Sequence, residues 1–166
     1  MNSVYIVLEF SHSEKLIPAV NKIESLTAVA GWDAVLGRSG HANLVLRARG
    51  EIKPLLAEIE RLDGWKQSSV YELAAGEALP APPEHLPIRA YLFVDVVPGQ
   101  LESVREAIVA LPDTVFCTRM ASNCDLVAMV KGESIAQLKS AMQESLQTLD
   151  GVLRLRAHYV FNIKEL

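Results

Sequence analysis

RAYLFVDVVPGQLESVREAIVALPDTVFCTRMASNCDLVAMVKGESIAQLKSAMQESLQTLDGVLRLRAHYVF, residues 89–161, carries a complete pattern of strands and helices. Its first part, RAYLFVDVV, is an apolar run rich in β-branched and aromatic residues, which predicts a strand ending at Pro98-Gly99. Apolar residues then recur with the spacing of one helix face until Pro112-Asp113. TVFCTRM (114–120) and DLVAMVK (125–131) flank a polar tip and predict a β-hairpin.

A second helix and a final strand complete the pattern. Ser134 with Gln137 three residues later fits a capping box, and the apolar face that follows predicts a helix continuing to Leu149. Asp150-Gly151 ends it, and VLRLRAHYVF is the last strand. The order βαββαβ is the ferredoxin-like unit, an α+β fold in which two helices cover one face of a four-stranded antiparallel sheet.

The same order occurs earlier in the chain. VYIVLEF (4–10), a helix with an early Pro18, a hairpin around 39–42, a helix with an early Pro54, and KQSSVYEL (66–73) repeat the βαββαβ pattern. We therefore predict two tandem ferredoxin-like units, residues 1–73 and 89–166. The Pro-rich segment 74–88 should join them as an extended, semi-rigid linker.

The strand AYLFVDV predicts how the units pack. Both of its faces are apolar, Leu92 and Val94 on one side and Tyr91 and Phe93 on the other, so both must be covered. A large exposed apolar patch on a monomer is unusual. We expect the two sheets to face each other about a pseudo-two-fold axis, forming a pseudo-dimer of the dimeric α+β barrel type with Tyr91 and Phe93 buried.

Four local sequences in the second unit resemble the effector-binding domain of the Lrp/AsnC (feast/famine) transcriptional regulators. They are Val97-Pro98-Gly99, Asp125-Leu126-Val127, Gly132-Glu133-Ser134 and Leu149-Asp150-Gly151-Val152. The resemblance implies a small-molecule effector, and an amino acid is the leading expectation. It also implies pairing of two effector domains through their open sheet faces, and further assembly into a homo-oligomer or with related regulators.

Residues 1–73 depart from that family. A typical member has a DNA-binding helix-turn-helix there, whereas this chain has at least three strand-like runs and no basic three-helix pattern. The formal net charge of -4 also argues against a module that binds nucleic acid alone, since such modules carry a basic patch. We expect no direct, sequence-specific DNA binding.

Other classes of function lack a signal. No apolar stretch approaches the roughly 20 residues of a membrane span, and the chain opens directly into a strand, so we expect a cytoplasmic protein. Cys117 and Cys124 lie in one hairpin without a C-x-x-C pattern, which argues against a disulfide, zinc or redox role. The four histidines have no metal-site spacing, and no nucleophile, phosphate or dinucleotide motif is present. We therefore assign no catalytic residue, metal or cofactor.

The hairpin tips are the candidate binding site. In the resembling family a Gly-x-x-Asp segment at the second hairpin lies by the effector pocket, where backbone N–H groups and a carboxylate can hold an amino acid. Here one tip keeps the Asp and the other keeps the Gly, although such residues also suit any tight turn. The candidate ligand-binding residues are Ser122, Asn123, Asp125, Arg119, Pro98 and Gly99 around the second tip, and Gly40, His41 and Asn43 at the first.

Three functions remain open. The first is a small-molecule-binding regulatory module, which we favour over catalysis. The second is an enzyme, because paired ferredoxin-like units also build dimeric α+β barrels that house oxygenases and haem-handling enzymes, and some relatives of the family are tetrapyrrole decarboxylases. A cluster of Trp32, His158, Arg154 and Arg156 between the sheets would favour it. The third is a purely structural oligomerisation module.

Overall fold

Among the described residues, eight strands and four α-helices repeat the predicted βαββαβ order two times. In the computed structural model, residues 2–37, 41–81 and 88–163 are described. The first half contains β1 (Ser3–Phe10), α1 (Leu16–Ile23), β2 (Val29–Leu36), β3 (Ala42–Arg49), α2 (Ile52–Glu60) and β4 (Trp65–Glu72). The second half contains β5 (Arg89–Val96), α3 (Leu101–Val109), β6 (Thr114–Arg119), β7 (Leu126–Lys131), α4 (Ile135–Ala141) and β8 (Val152–Phe161).

The strands form one antiparallel sheet in the order β4-β1-β3-β2-β8-β5-β7-β6. Each half has the strand order of a ferredoxin-like unit, and the halves join where β2 pairs with β8 over three residue pairs. The two edge strands approach each other at the isolated bridge between Leu73 and Met120, so the sheet curls round while staying open along most of that edge. The predicted α+β, ferredoxin-like class is therefore confirmed.

Three apolar layers hold the fold together. One lies between the helices and the sheet of the first half, and another occupies the same place in the second half. The third lies between the two halves of the sheet and contains Tyr5, Val45, Tyr91, Phe93 and Val127, among others. Tyr91 and Phe93 are both 0% exposed, which confirms that the second apolar face of β5 is covered.

Turn and cap chemistry explains most element boundaries. Ser134 Oγ accepts a hydrogen bond from the Gln137 N–H at 3.0 Å and starts α4, as the capping box predicts. Pro18 and Pro54 are each the third residue of their helices, α1 and α2, where a missing N–H costs nothing. Gly151, with φ +93, ends the final turn before β8.

The helix predicted to continue to Leu149 is wrong beyond Ala141. There α4 gives way to a π-helix, Met142–Leu146, closed by a hydrogen bond from the Gln147 N–H to the Met142 carbonyl at 2.9 Å. The wider turn keeps Met142 and Leu146, which are four residues apart, in the same apolar layer. Such segments are rare and often mark functional sites.

The segment between the halves is described as far as residue 81. The Ala74 N–H donates to the Arg119 carbonyl at 3.0 Å, and Leu79 is buried between the two halves of the sheet. Pro82, Pro83 and Pro87 of the predicted linker lie outside the described residues. Among the residues described, no helix has both the length and the apolar character that crossing a membrane requires.

Candidate ligand-binding site

The second hairpin tip is docked against β4. Ser122 Oγ accepts a hydrogen bond from the Glu72 N–H at 3.1 Å, and the Ala121 N–H donates to the Glu72 carbonyl at 2.7 Å. Asn123 adopts φ +65 and its Nδ2 donates to the carbonyl of Val70. Ser122 and Asn123 therefore use polar groups to close the gap between β6 and β4.

Asp125 lies where the sequence placed it, at the mouth of the second hairpin beside the loop after β5. Its Oδ2 accepts a hydrogen bond from the Val96 N–H at 2.7 Å, where the pairing of β5 with β8 shifts register. That loop contains the exposed Pro98 and Gly99. The φ of +86 at position 99 is a conformation that glycine adopts without strain. The side-chain carboxylate thus accepts from a backbone N–H at the point where this bulge interrupts the regular pairing of the strands.

Arg119 already has two carboxylate partners. Its Nε donates to Glu77 at 2.9 Å and its Nη1 donates to Glu102 at 3.3 Å. These ion pairs raise the pKa of Arg119, with the Glu77 hydrogen bond as the main cause. A ligand carboxylate at this arginine would have to compete with both glutamates.

The first hairpin tip has different surroundings. The Gly37 N–H donates to the carbonyl of His41 at 3.3 Å. The His41 side chain is exposed, whereas Asn43 is buried below the tip. Gly40 and the neighbouring Arg38 lie outside the described residues. A Cβ built on Gly37 would stand 3.4 Å from Asn43 Nδ2 and 3.5 Å from His158 Nδ1. The structure therefore brings Asn43 next to His158 of the other half.

A cleft of about 510 Å³ opens beside this tip, between the end of β2, the outer face of β8 and the helical layer. We call it the seam cleft; it is lined by Leu36, Gly37, Ile135, Lys139, Met142, Gln143, Gln147, Leu155, Arg156, Ala157 and Tyr159. Lys139 Nζ lies 5.5 Å from the centre of the Tyr159 ring. The π-helix supplies Met142 and Gln143, so the unusual turn shapes one wall.

Arg156 and His158 point from β8 toward the space between the sheet halves. Arg156 Nη1 donates to the Tyr71 hydroxyl at 3.2 Å, and the His158 ring meets Phe93 edge to face at 5.2 Å between centroids. Burial lowers the pKa of His158 to about 4, and the nearby Arg156 charge acts in the same direction. The imidazole is therefore neutral at pH 7.

Trp32 and Arg154, the other two residues proposed for an interior cluster, lie elsewhere. Trp32 packs on the helix side of the first half, where its indole N–H donates to Glu24 at 3.2 Å. Arg154 is exposed and its Nε donates to Asp95 at 3.2 Å. Half of the proposed cluster therefore faces the interior.

A buried polar network joins the halves and was not predicted. The Tyr91 hydroxyl donates to Asp33 at 2.6 Å, while Arg47 and Arg89 donate to the same carboxylate at 3.1 and 2.7 Å. Asp33 is 8% exposed. Burial, followed by the Asp33 charge, raises the pKa of Tyr91 well above its ordinary value. The available signal was a lone acid in the apolar run WDAVL.

The described residues offer no other obvious reactive centre. Cys117 and Cys124 are free, and burial raises the pKa of both thiols to about 12, so neither is a thiolate at pH 7. Within the ranges described, no three His, Cys, Asp or Glu side chains are grouped to hold a metal ion.

Comparisons with known proteins agree with this architecture. Over 96% of the chain and 72% of the other protein, the fold superposes on the siroheme decarboxylase NirDL, with a TM-score of 0.70 and 10% identity. A major regulator of staphylococcal pathogenesis matches with a TM-score of 0.53 and 10% identity, covering 97% of this chain and 99% of the regulator. Likeness at these identities concerns the fold alone.

The E. coli regulator AsnC gives a TM-score of 0.45 with 13% identity, over 54% of this chain and 62% of AsnC. No curated protein matches the chain in a sequence search. The family model described as the Lrp/AsnC ligand binding domain matches residues 89–165, which confirms the resemblance seen in the four local sequences of the second half. Residues 89–165 of this chain are therefore similar to the Lrp/AsnC ligand-binding domain family.

Proposed function

We propose that this protein is a regulatory module that binds a small molecule, an amino acid or a related carboxylic acid, and does not itself bind DNA. The match of residues 89–165 to a ligand-binding domain family supports the general class. Residues 1–73 would form a degenerate first unit and 74–88 a linker. The ligand signal would pass to partner proteins through assembly, with further copies of this chain or with related regulators.

The seam cleft is the observation that carries this proposal. Its volume of about 510 Å³ lies in the range of about 300–1,000 Å³ typical of small-molecule pockets. Apolar groups of Leu36, Met142 and Tyr159 line it, together with the Lys139 ammonium and two glutamine amides. A lining that combines apolar side chains with a cation and amides suits a compact ligand that has an apolar part and a carboxylate.

A thermal-shift screen of amino acids, 2-oxo acids and haem precursors tests the proposal. A ligand that binds only the native state stabilises it by about 2.7 kcal/mol at one hundred times its Kd, which raises the melting temperature by several degrees. Each hit is then titrated calorimetrically. Lys139→Met should weaken binding about tenfold, the value of about 1.4 kcal/mol for one charge-assisted contact.

Lys53→Met is the matched control, because Lys53 is an exposed helical lysine on α2 and does not line the cleft. Affinity in this variant should equal that of the unmodified protein. If no carboxylic acid raises the melting temperature, or if both lysine variants bind equally well, the assignment of the cleft is wrong. If no screened compound changes the melting temperature of the protein, a purely structural oligomerisation module would instead be favoured.

An enzyme of the dimeric α+β barrel type, either tetrapyrrole-handling or an oxygenase, is the second candidate. The supporting observation is that Arg156 and His158 lie together between the sheet halves, in a fold that resembles the siroheme decarboxylase over 96% of the chain. A neutral imidazole beside a guanidinium can exchange a proton while the cation holds a carboxylate.

Incubation of the purified protein with siroheme separates this candidate from the first. An enzyme would shift the tetrapyrrole absorption bands and release carbon dioxide, and His158→Gln would abolish release while leaving the band shift. An unchanged spectrum with no carbon dioxide released would exclude siroheme decarboxylation.

A further inference from the structure

β8 is longer than the strand that pairs with it on the side of the first half. It pairs with β5 from Val152 to Tyr159, whereas β2 pairs only with Tyr159–Phe161. Among the described residues, no strand pairs with the earlier part of β8 on that side. We call this stretch, Leu153–Ala157, the free edge of β8.

The backbone groups of this stretch point alternately toward β5 and toward the free side. The Ile88 carbonyl accepts a hydrogen bond at 3.1 Å from the residue that follows β7, so Ile88 is bonded toward β7. Phe93, an odd number of residues further along the chain, is therefore bonded toward β8, where its partner is Arg156. The neighbours of Arg156, Leu155 and Ala157, direct their N–H and C=O groups away from β5, to the free edge.

The free edge is accessible. Leu153, with 65% of its surface exposed, is the most exposed large apolar side chain among the described residues, and Arg154 is exposed as well. The seam cleft is lined by Leu155, Arg156 and Ala157, although consecutive strand side chains lie on alternate faces of a sheet, so the cleft reaches the backbone between them. Within the described residues, the outward backbone groups of Leu155 and Ala157 have no hydrogen-bond partner. Such unpaired groups are a template for an added strand.

The chain itself fills the equivalent edge in the first half. By strand register, Val70 of β4 is the counterpart of Ala157 of β8. The Val70 carbonyl accepts a hydrogen bond from the Asn123 side chain of the second hairpin tip. A polar partner therefore occupies this edge position in one half, whereas the described residues leave it open in the other.

The surroundings of the free edge are positively charged. Arg154 and Arg156 share one carboxylate, that of Asp95, at 3.2 and 4.0 Å. The described lining of the seam cleft contains two cations, Lys139 and Arg156, and no carboxylate. The whole chain has a net charge of -4, so this region is opposite in sign to the rest. An incoming strand with acidic side chains would meet complementary charge.

A second copy of β8 does not suit this edge. Two β8 strands related by a two-fold axis at Arg154, Leu155 or Arg156 would run antiparallel, with an arginine of one copy opposite an arginine of the other or close to it. Like charges directly opposite each other destabilise a sheet. Charge therefore favours a different, acidic sequence.

We propose that the free edge of β8 and the seam cleft form a docking groove for an extended, acidic segment of a partner protein, which adds to the sheet as a strand. Its backbone pairs with Leu155 and Ala157. On one face its acidic side chains lie beside Arg154 and Arg156, and on the other its apolar side chains lie beside Leu153 and Leu155. This docking goes beyond the proposed function and does not rest on it.

The probe is a fluorescein-labelled peptide of eight residues that alternates glutamate and valine, and fluorescence polarisation measures its binding to the full chain. Saturable binding is expected, whereas a peptide that alternates lysine and valine should not bind. Two further acidic peptides carry N-methyl groups on the glutamate amides or on the valine amides. Because successive amides of a strand point to opposite edges, one of them should bind about tenfold more weakly and the other normally. Equal affinity of all the acidic peptides, or no binding of the first, would overturn strand addition.

Amide hydrogen exchange, followed by NMR, locates the added strand. In the free protein, the Leu155 and Ala157 amides should exchange faster than the Arg156 amide, which is bonded toward β5. Saturation with the acidic peptide should slow exchange at Leu155 and Ala157 by about tenfold or more and leave Arg156 unchanged. Protection of Leu155 and Ala157 that grows with protein concentration, without peptide, would show that a second copy covers the edge and would overturn the acidic partner.

Arg154→Glu and Arg61→Glu form a matched pair, because both arginines are exposed and both substitutions change the net charge equally. Arg154→Glu should weaken binding of the acidic peptide by about tenfold and allow the lysine peptide to bind. Arg61→Glu, at the end of α2, should bind like the unmodified protein. Equal losses in the two variants would mean that overall charge, and not the free edge, attracts the peptide.

The same measurements separate this inference from the proposed function. If the acidic peptide binds as described but no amino acid or carboxylic acid raises the melting temperature, docking stands and the proposed function falls. If a screened acid raises the melting temperature and the peptide does not bind, the proposed function stands and docking falls.

Discussion

The seam between β2 and β8 and the approach of β4 to β6 hold equivalent places in the two halves, but the chain builds them differently. At the first, three residue pairs join the strands, the seam cleft opens beside them, and Asp33 of β2 accepts the Tyr91 hydroxyl. At the second, the described residues form one isolated bridge, and the hairpin tip itself fills the gap through Ser122 and Asn123.

The difference between these seams comes from polar residues rather than from the fold. Thr118 stands where the other half has Asp33, and it is the polar neighbour of the buried Tyr5 hydroxyl, which lacks a hydrogen bond of ordinary geometry. The β2 seam therefore has a buried carboxylate and an adjacent cleft, whereas β6 has a neutral threonine at the position equivalent to Asp33. This is what is expected if one copy keeps a binding site and the other has become structural.

Replacing Asp33 should have the largest effect on this contrast. Asp33→Ala leaves Arg47 and Arg89 without the carboxylate that they share, and loss of one member of a buried ion network costs about 3–5 kcal/mol. Thr118→Ala, at the equivalent position, should cost about 1 kcal/mol or less. Urea unfolding followed by circular dichroism measures both. Equal losses would mean that charge does not distinguish the seams.

His158 should make the free energy of unfolding depend on pH. Because burial lowers the folded pKa of His158 to about 4, below the unfolded value of about 6.5, the unfolded chain binds the extra proton between those values. His158 therefore favours folding fully above pH 6.5, and this contribution falls by about 2–3 kcal/mol as pH drops toward 4.

Unfolding free energies of the unmodified protein and of His158→Gln, measured from pH 7 to pH 4, isolate this contribution from that of the carboxylates. The difference between the two proteins should shrink as pH falls. His12→Gln, which changes an exposed histidine, is the control variant for the loss of an imidazole. A constant difference across the range would show that His158 titrates normally.

The smallest effect is expected at Asp125. Asp125→Asn keeps an oxygen acceptor for the Val96 N–H, so it should cost about 1 kcal/mol or less, and ligand affinity should stay the same if the ligand lies in the seam cleft. If the second hairpin tip is the effector pocket, a ligand ammonium loses its partner and affinity should fall about ten- to a hundredfold. Calorimetric titration beside a melting curve distinguishes the two results.

Residues 89–161 show which parts of the molecule were predictable. Helix and strand positions, the turns at Pro98-Gly99 and Asp150-Gly151 and the cap at Ser134 follow from local periodicity and local hydrogen bonding, and they were placed correctly. The π-helix was missed because its apolar spacing also suits an α-helix. The burial of Tyr91 and Phe93 was predictable because one strand with two apolar faces needs two partners.

The candidate site was harder to predict. Sequence patterns identified both hairpin tips, including Asn43, but gave no reason to associate Asn43 with His158 or to include Gly37, Lys139 and Gln143. They also could not reveal that the side chains of Ser122 and Asn123 form hydrogen bonds with the backbone of β4. Turn residues look the same in a sequence whether they face a ligand or another strand.

What the sequence alone determined is therefore the repeated βαββαβ order, the boundaries of most elements and the need for the two sheet halves to meet, because these depend on neighbours a few residues apart. Only the tertiary structure decided which polar groups meet. Asp33 and Tyr91 are separated by 58 positions, and Tyr71 and Arg156 by 85. Such pairs depend on strand register between halves, since a shift of one residue would turn every one of these side chains to the opposite face.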